Sequence, residues 1–173
     1  MLKSVLLSSF ILLSIFSFAQ KAPAPAYLLG QSFPDSVRQL SLTTTKGLQI
    51  TFGEVLDAHK GRKMVIDFWA SWCKDCVGGM PTFKKLIYKT RRKQVDYVFL
   101  SLDKEEGKWK AAIDRLELGG SHYWISQGWK NTLSNYIGLD WIPRYIVIGE
   151  NGMVIFPKAT SASDPSLEAL LLN

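Results

Sequence analysis

Cysteine and histidine are scarce in this chain, with only two of each among 173 residues. Two cysteines cannot build a disulfide-dense scaffold. With the histidines far away in sequence, at His59 and His122, they do not assemble a four-ligand structural zinc site either. Charge of one sign is also in short supply. Lys and Arg number 21 against 15 Asp and Glu, an excess of 21 − 15 = 6, too mild for the dense basic stripe of a nucleic-acid binder. Long apolar runs are limited to Val5–Phe18, about 14 residues, short of the ~20 that a membrane-spanning helix needs. What is present is ordinary for a folded domain: 47% apolar, 21% charged and 12% aromatic residues, which excludes a disordered or collagen-like chain. The length suits one domain.

The first residues read as an address. Lys3 precedes the apolar run, and Ser17-Phe18-Ala19 provides a small-x-small site before Gln20. This is the pattern of a secretory signal peptide, expected to span residues 1–19. An uncleaved segment acting as a membrane anchor is the alternative. With no cysteine near the site, lipoprotein attachment is excluded. Residues 20–27, rich in Pro and Ala, are expected to be a flexible lead-in, followed by one domain over residues 28–173. The protein is therefore expected outside the cytoplasm, in the periplasm or an equivalent space, where disulfide chemistry is possible.

Alternation around Thr45-Lys46-Gly47 predicts a β-hairpin within Gln39–Thr51. A short helix is expected over Phe52–His59, stopped by Gly61. Met64–Ala70 is a nearly continuous apolar run, as in a central strand buried on both faces. A helical stretch from Cys73 to Arg92 is expected to be interrupted at Gly78-Gly79 and Pro81. Further on, the spacing predicts strands at Val95–Leu102 and His122–Ile125, and helices at Glu105–Leu116, ended by Gly119-Gly120, and at Gly128–Ile137. Arg144–Ile148 and Met153–Phe156 flank Asn151-Gly152, a strong hairpin signal. Asp164-Pro165 opens a final helix. The pattern defines a three-layer α/β domain with a mixed sheet.

The chemistry centres on Trp72-Cys73-Lys74-Asp75-Cys76, where both cysteines sit at C-x-x-C spacing between a buried strand and a helix start. The first turn of a helix offers free N–H groups and the positive end of its dipole. Both stabilise a thiolate, the reactive form. Cys73, at the helix mouth, is expected to be exposed and nucleophilic. Cys76, one turn on, is expected to be buried and suited to resolving a mixed disulfide. A purely structural disulfide remains the alternative, although so short a span gains little loop entropy.

The stretch Asp67-Phe68-Trp69-Ala70-Ser71-Trp72-Cys73-Lys74-Asp75-Cys76 resembles the active-site segment of the thioredoxin superfamily. Pro81 matches the family's helix proline, and Ile142-Pro143 its cis-proline loop. The apolar leader, the N-terminal hairpin, the extra segment before Pro143 and the run Ile142–Gly152 are similar to the exported TlpA/ResA-like branch of thiol-disulfide oxidoreductases. The resemblance implies a thioredoxin-like three-layer fold, a mixed central sheet with an N-terminal hairpin and flanking helices. It implies a redox-active Cys73–Cys76 disulfide, with Cys73 attacking and Cys76 resolving. Trp72 would shield the pair, Pro143 would shape the substrate groove, and the backbone of Ile142 would pair with an extended substrate segment. Protein thiols and disulfides would be the partners, with a membrane-bound thiol relay as electron donor, and no cofactor, metal or nucleic acid.

Two departures from that branch stand out. Gly79 occupies a position that often holds a glutamate, which argues against a specialised cytochrome-maturation role. Asp67 replaces the branch's common Asn, as in thioredoxin proper, and is expected to shuttle the proton of Cys76. Aligning the neighbouring strand by Asp103 places Phe99 where thioredoxin has a lysine, so Asp67 is expected to lack a cationic partner. Lys74-Asp75 differs from thioredoxin's Gly-Pro; Lys74 favours a Cys73 thiolate and Asp75 opposes it.

Other candidates are plainer. Lys84, Lys85, Lys89, Arg91, Arg92 and Lys93 form a solvated basic helix end. Trp109, Tyr123, Trp124, Trp129 and Trp141 line core or groove, with Trp141 the expected substrate contact; His122 is expected to be structural. Two other functions compete with this reading. A peroxiredoxin-like peroxidase would need a Thr-x-x-Cys motif, whereas Ala70-Ser71-Trp72 precedes Cys73. A copper-binding module of the same fold would need a longer cysteine spacing and a matched histidine.

Overall fold

The computed structural model describes residues 23–173. The expected signal peptide, 1–19, lies outside the described residues, as does the start of the lead-in. The lead-in's last residues, Ala26 and Tyr27, join Leu28 in a single 3-10 turn, anchored where the Tyr27 hydroxyl donates to the carbonyl of Tyr136 at 2.6 Å.

Seven strands form one mixed sheet. In chain order these are β1 (Ser41–Thr44), β2 (Gln49–Thr51), β3 (Lys63–Trp69), β4 (Val95–Ser101), β5 (Ser121–Trp124), β6 (Arg144–Ile148) and β7 (Val154–Ala159), and in space they lie β2-β1-β5-β4-β3-β6-β7. The β3, β4 and β5 strands run parallel, which requires the crossover helices α3 (Lys74–Thr90) and α4 (Glu106–Leu116) between them. Both terminal hairpins attach antiparallel, β1 on β5 and β6 on β3. Flanking helices α1 (Asp35–Arg38), α2 (Phe52–Ala58), α5 (Thr132–Tyr136) and α6 (Pro165–Leu172) complete the domain, with α3 against α6 and α1 against α2 and α5.

The local chemistry explains the elements. Gly47, at φ 80°, makes the turn of the first hairpin, and Leu42 pairs with Ile50 across it. Thr51 and Glu54 form a capping box at the start of α2. In α6 the carboxylate of Asp164 accepts from the amides of Ser166 and Leu167, and Pro165 occupies the first turn, where its missing N–H costs nothing. β3 is buried over six of its seven residues, as its continuous apolar run predicts.

Four features differ from the sequence reading. α3 is not interrupted at Gly78-Gly79 or at Pro81. The buried stripe Cys76, Met80, Phe83, Leu86 and Thr90 holds it against the sheet, and Pro81 forfeits only the bond to the carbonyl of Val77. α4 ends at Leu116 as expected, but its stop is Glu117, in left-handed conformation at φ 47°, and not the glycine pair at 119–120. α5 is shorter than expected and begins after Asn131, whose side chain accepts from the amide of Ser134 at 2.7 Å. The short α1, opened by Pro34, has too little periodicity to be read from sequence.

Candidate active site

The dithiol motif sits where β3 gives way to α3. Cys73 is the N-cap of the helix, and Cys76 lies in its first turn. The two are joined as a disulfide, with Cα atoms 5.2 Å apart. The amide of Cys76 donates to Cys73 Sγ at 3.0 Å, so the free N–H groups of the helix start are aimed at the sulfur expected to attack. Cys76 is fully buried. Cys73, expected to be exposed, keeps only 6% of its surface, because the Trp72 and Ile142 loops close over it; it is reached through a cavity of about 420 Å³ lined by Trp72, Trp129, Trp141 and Ile142. Trp72 is 56% exposed and Trp141 39% exposed, so both present ring surface at the mouth.

Facing the disulfide is the loop before β6. The Ile142–Pro143 peptide is cis, and the carbonyl oxygen of Ile142 lies 3.7 Å from Cys73 Sγ. Arg144, the next residue, is fully buried and paired with Asp140, which also receives the ammonium of Lys158 at 2.8 Å. Burial pushes the Asp140 carboxyl up, but the Lys158 bond and the Arg144 charge outweigh it and hold the group below its usual range.

Two carboxylates lie behind the dithiol. Asp67 is fully buried in β3, with Phe99 of β4 and Tyr145 of β6 directly across from it in register. Phe99 thus stands where a cation would otherwise offset the burial, as the sequence predicts. Phe83 of α3 packs on both rings, 5.7 Å from Phe99 and 4.9 Å from Tyr145 between centroids. Neither Asp67 oxygen has a hydrogen-bond partner among the described residues. Burial accordingly raises its carboxyl well above the ordinary value, and burial, then the nearby Asp67, pushes the Tyr145 hydroxyl up as well.

Asp103, just past β4, is the residue that sequence reasoning used only for alignment. Its carboxylate accepts from the Ser71 amide at 3.0 Å, the Ser71 hydroxyl at 2.6 Å and the Ser101 hydroxyl at 2.8 Å. It thereby ties the turn that carries Trp72 and Cys73 to the end of the neighbouring strand. The indole N–H of Trp124 donates to the Asp103 carbonyl at 2.7 Å. His122 Nε2 donates to the Leu118 carbonyl at 3.1 Å, and the ring stacks on Phe99 and has its pKa lowered by burial, which is a packing role.

A helix-capping disulfide facing a cis-proline loop, on a mixed sheet with parallel centre, defines a thioredoxin-type architecture. Residues 61–154, just over half of the chain, match the thioredoxin-like family, and the chain belongs to it. Among curated proteins it is 35% identical over 91 residues to the thioredoxin-like protein YneN of Bacillus subtilis, covering 51% of this chain and 49% of that one. It is 24% identical over 143 residues to the thiol-disulfide oxidoreductase ResA of Bacillus thuringiensis (strain Al Hakam), covering 83% and 76%. In the alignments with YneN and with ResA of Bacillus cereus, the chain spans about half the length of the relative, 49% and 47%. Among solved structures, a proposed thiol-disulfide oxidoreductase from Bacteroides vulgatus superposes with a TM-score of 0.66 at 28% identity, covering 82% of this chain and 89% of that one. A thiol-disulfide oxidoreductase from Bacteroides fragilis, 20% identical with a TM-score of 0.64 and covering 78% and 98%, shares the fold.

Proposed function

We propose that this protein is an exported thiol-disulfide oxidoreductase that exchanges disulfides with protein partners through Cys73 and Cys76. The observation that carries the reading is the Cys73–Cys76 disulfide at the first turn of α3, opposite the Ile142 carbonyl and open to a cavity. The relatives named as thiol-disulfide oxidoreductases support it. In the reductive direction the Cys73 thiolate attacks a substrate disulfide, forming a mixed disulfide while the first substrate thiolate leaves and takes a proton. The Cys76 thiolate then attacks Cys73 Sγ, the second substrate thiol departs, and two electrons have passed from the protein to the substrate. A dithiol donor, which we place on a membrane relay, restores the reduced form. The groove residues are Trp72, Trp141, Ile142 and Pro143.

Asp67 serves as the proton acceptor for Cys76. A carboxyl whose proton affinity is raised by burial can take and return a proton at the resolving step. Export rests on the apolar leader over residues 1–19.

The test is covalent trapping. Cys76→Ser is expected to accumulate a mixed disulfide with a reactive protein disulfide, and Cys73→Ser to accumulate none. Equal trapping by the two variants reverses the assignment of the nucleophile, and no trapping by either overturns the activity. The reduction potential then decides direction: about −270 mV marks a reductase and about −120 mV an oxidant.

A further inference from the structure

Beside the dithiol lies a second, larger cavity, about 650 Å³, that no step of the reaction above uses. It is formed by the loop after β4, Leu102–Glu105, and the loop after β5, Ser126–Lys130, and Lys108 of α4 reaches it. Trp72 and Trp129 line both this cavity and the one that reaches Cys73, so the two form one groove with a pair of indoles at its waist. Both rings present surface to solvent, Trp129 at 37% exposure.

The charges of this cavity are unevenly committed. Its carboxylates are already engaged: Asp103 by Ser71 and Ser101, and Glu105 by Lys108 at 2.6 Å. Lys104 and Lys130 are exposed and have no carboxylate partner among the described residues. The cavity on the other side of the dithiol, about 440 Å³, pairs the opposite charges of Lys74 and Asp75 and is otherwise lined by neutral residues such as Thr160, Ser161 and Ala162. With Lys104, Lys108 and Lys130 against Asp103 and Glu105, one flank of the reactive disulfide carries a net single positive charge over an indole floor, and the flank lined by Lys74 and Asp75 carries none.

We propose that the Lys104–Lys130 cavity is a specificity subsite that takes an acidic residue of an extended protein segment, a few residues to one side of the substrate cysteine. The inference rests on the oxidoreductase reading and deepens it by giving the class of partner. The indoles hold the segment's backbone and apolar atoms, and the two ammonium groups select its carboxylate. Cations there stabilise the anionic partner in the encounter and at the site, so the preference is electrostatic and sensitive to salt.

The test uses the reduced full chain and disulfide-linked dimers of short peptides with one cysteine each. In one peptide two glutamates precede the cysteine, in a second they follow it, and in a third glutamines replace them. The Cys73 thiolate forms a disulfide with one peptide, the peptide–peptide bond breaks, and Cys76 closure releases the second peptide thiol; peptide thiol appearance is the readout. One acidic arrangement, and only one, is expected to react roughly fivefold faster than the glutamine peptide, the size that two exposed ion pairs supply. That ratio should shrink towards one in 1 M salt and in the Lys104→Gln/Lys130→Gln double variant, whose fold is checked by circular dichroism. Equal rates for all three peptides, equal gains for both acidic arrangements, or a ratio retained in the double variant overturns the subsite and leaves the oxidoreductase standing. No reaction with any peptide overturns the activity itself.

Discussion

Asp67 and Asp103 lie near the ends of neighbouring parallel strands, and both are fully buried. Their surroundings are opposite. Asp103 meets an amide and two hydroxyls, all from the turn and strand that frame the dithiol, whereas Asp67 meets the rings of Phe99 and Tyr145 and no hydrogen-bond donor. A buried carboxylate with donors is a structural tie; one without donors is a destabilising group whose retention needs a chemical reason. The comparison separates scaffold from reagent within a few residues of one another.

The largest effect should come from breaking the tie. Asp103→Ala leaves the Ser71 amide and the Ser71 and Ser101 hydroxyls without their acceptor, at a cost of about 3 kcal/mol or more. Urea unfolding measures it, and a loss under about 1 kcal/mol would show that water replaces the carboxylate as acceptor.

Asp67→Asn should do the reverse, keeping the fold and harming the chemistry. Resolution of a trapped mixed disulfide near pH 7 is expected to slow by about a hundredfold, the scale of a lost general base. Superimposable pH profiles from wild type and variant between about pH 5 and 9 would reduce Asp67 to a packing residue and leave proton transfer to water.

The same substitution sharpens the comparison through stability. Below the ordinary carboxylate range, both folded and unfolded chains hold the Asp67 proton, and the group imposes no pH dependence. Above it, the unfolded chain releases the proton while the folded chain, whose carboxyl is pushed up by burial, retains it. Wild-type stability should therefore fall with rising pH from about pH 4, by up to about 1.4 kcal/mol per pH unit from this group, until the raised folded value is passed. Asp67→Asn should lack that decline, so its advantage over wild type grows as pH rises above the ordinary carboxylate range, until the raised folded value is passed. Unfolding curves at several pH values check this, and a constant difference would contradict it.

The smallest effect is expected at Ser71→Ala, which removes one hydroxyl donor from Asp103 but keeps the amide, for about 1 kcal/mol. A double-mutant cycle with Asp103→Asn should show coupling between the two sites, since they share one bond.

Much of this arrangement is legible in the sequence because it is local. Asp164-Pro165 and Asn151-Gly152 declare a helix start and a turn through contacts within a few residues. The Asp67–Phe99 pairing is legible only through the resemblance to thioredoxin, whose strand, aligned by Asp103, puts Phe99 beside Asp67, where the parallel register has it. Distant partnerships are not. Ser71 and Asp103 lie 32 residues apart, and nothing in either neighbourhood announces the other. The unbroken α3 defeats local reasoning for the same cause: burial of its apolar stripe outweighs the poor helix propensity of Gly78 and Gly79. The near-closure of Cys73 depends on the loop carrying Ile142, brought over it from 69 residues away.

The order of the strands has a consequence for how the molecule opens. β3 is joined to β4 through seven paired positions and to β6 through five, while the N-terminal hairpin is held to the sheet by two, Thr43 to Trp124 and Thr44 to Tyr123. Amide exchange with deuterated water follows such gradients, since weakly held edges open alone and centres open only with the whole domain. The amides of Ser41–Thr51 should exchange well before those of Val65–Phe68. The disulfide is rooted at the end of that slowest strand, so thermal fraying at the rim leaves the spacing between Cys73 and the Ile142 carbonyl undisturbed until the domain unfolds as a unit.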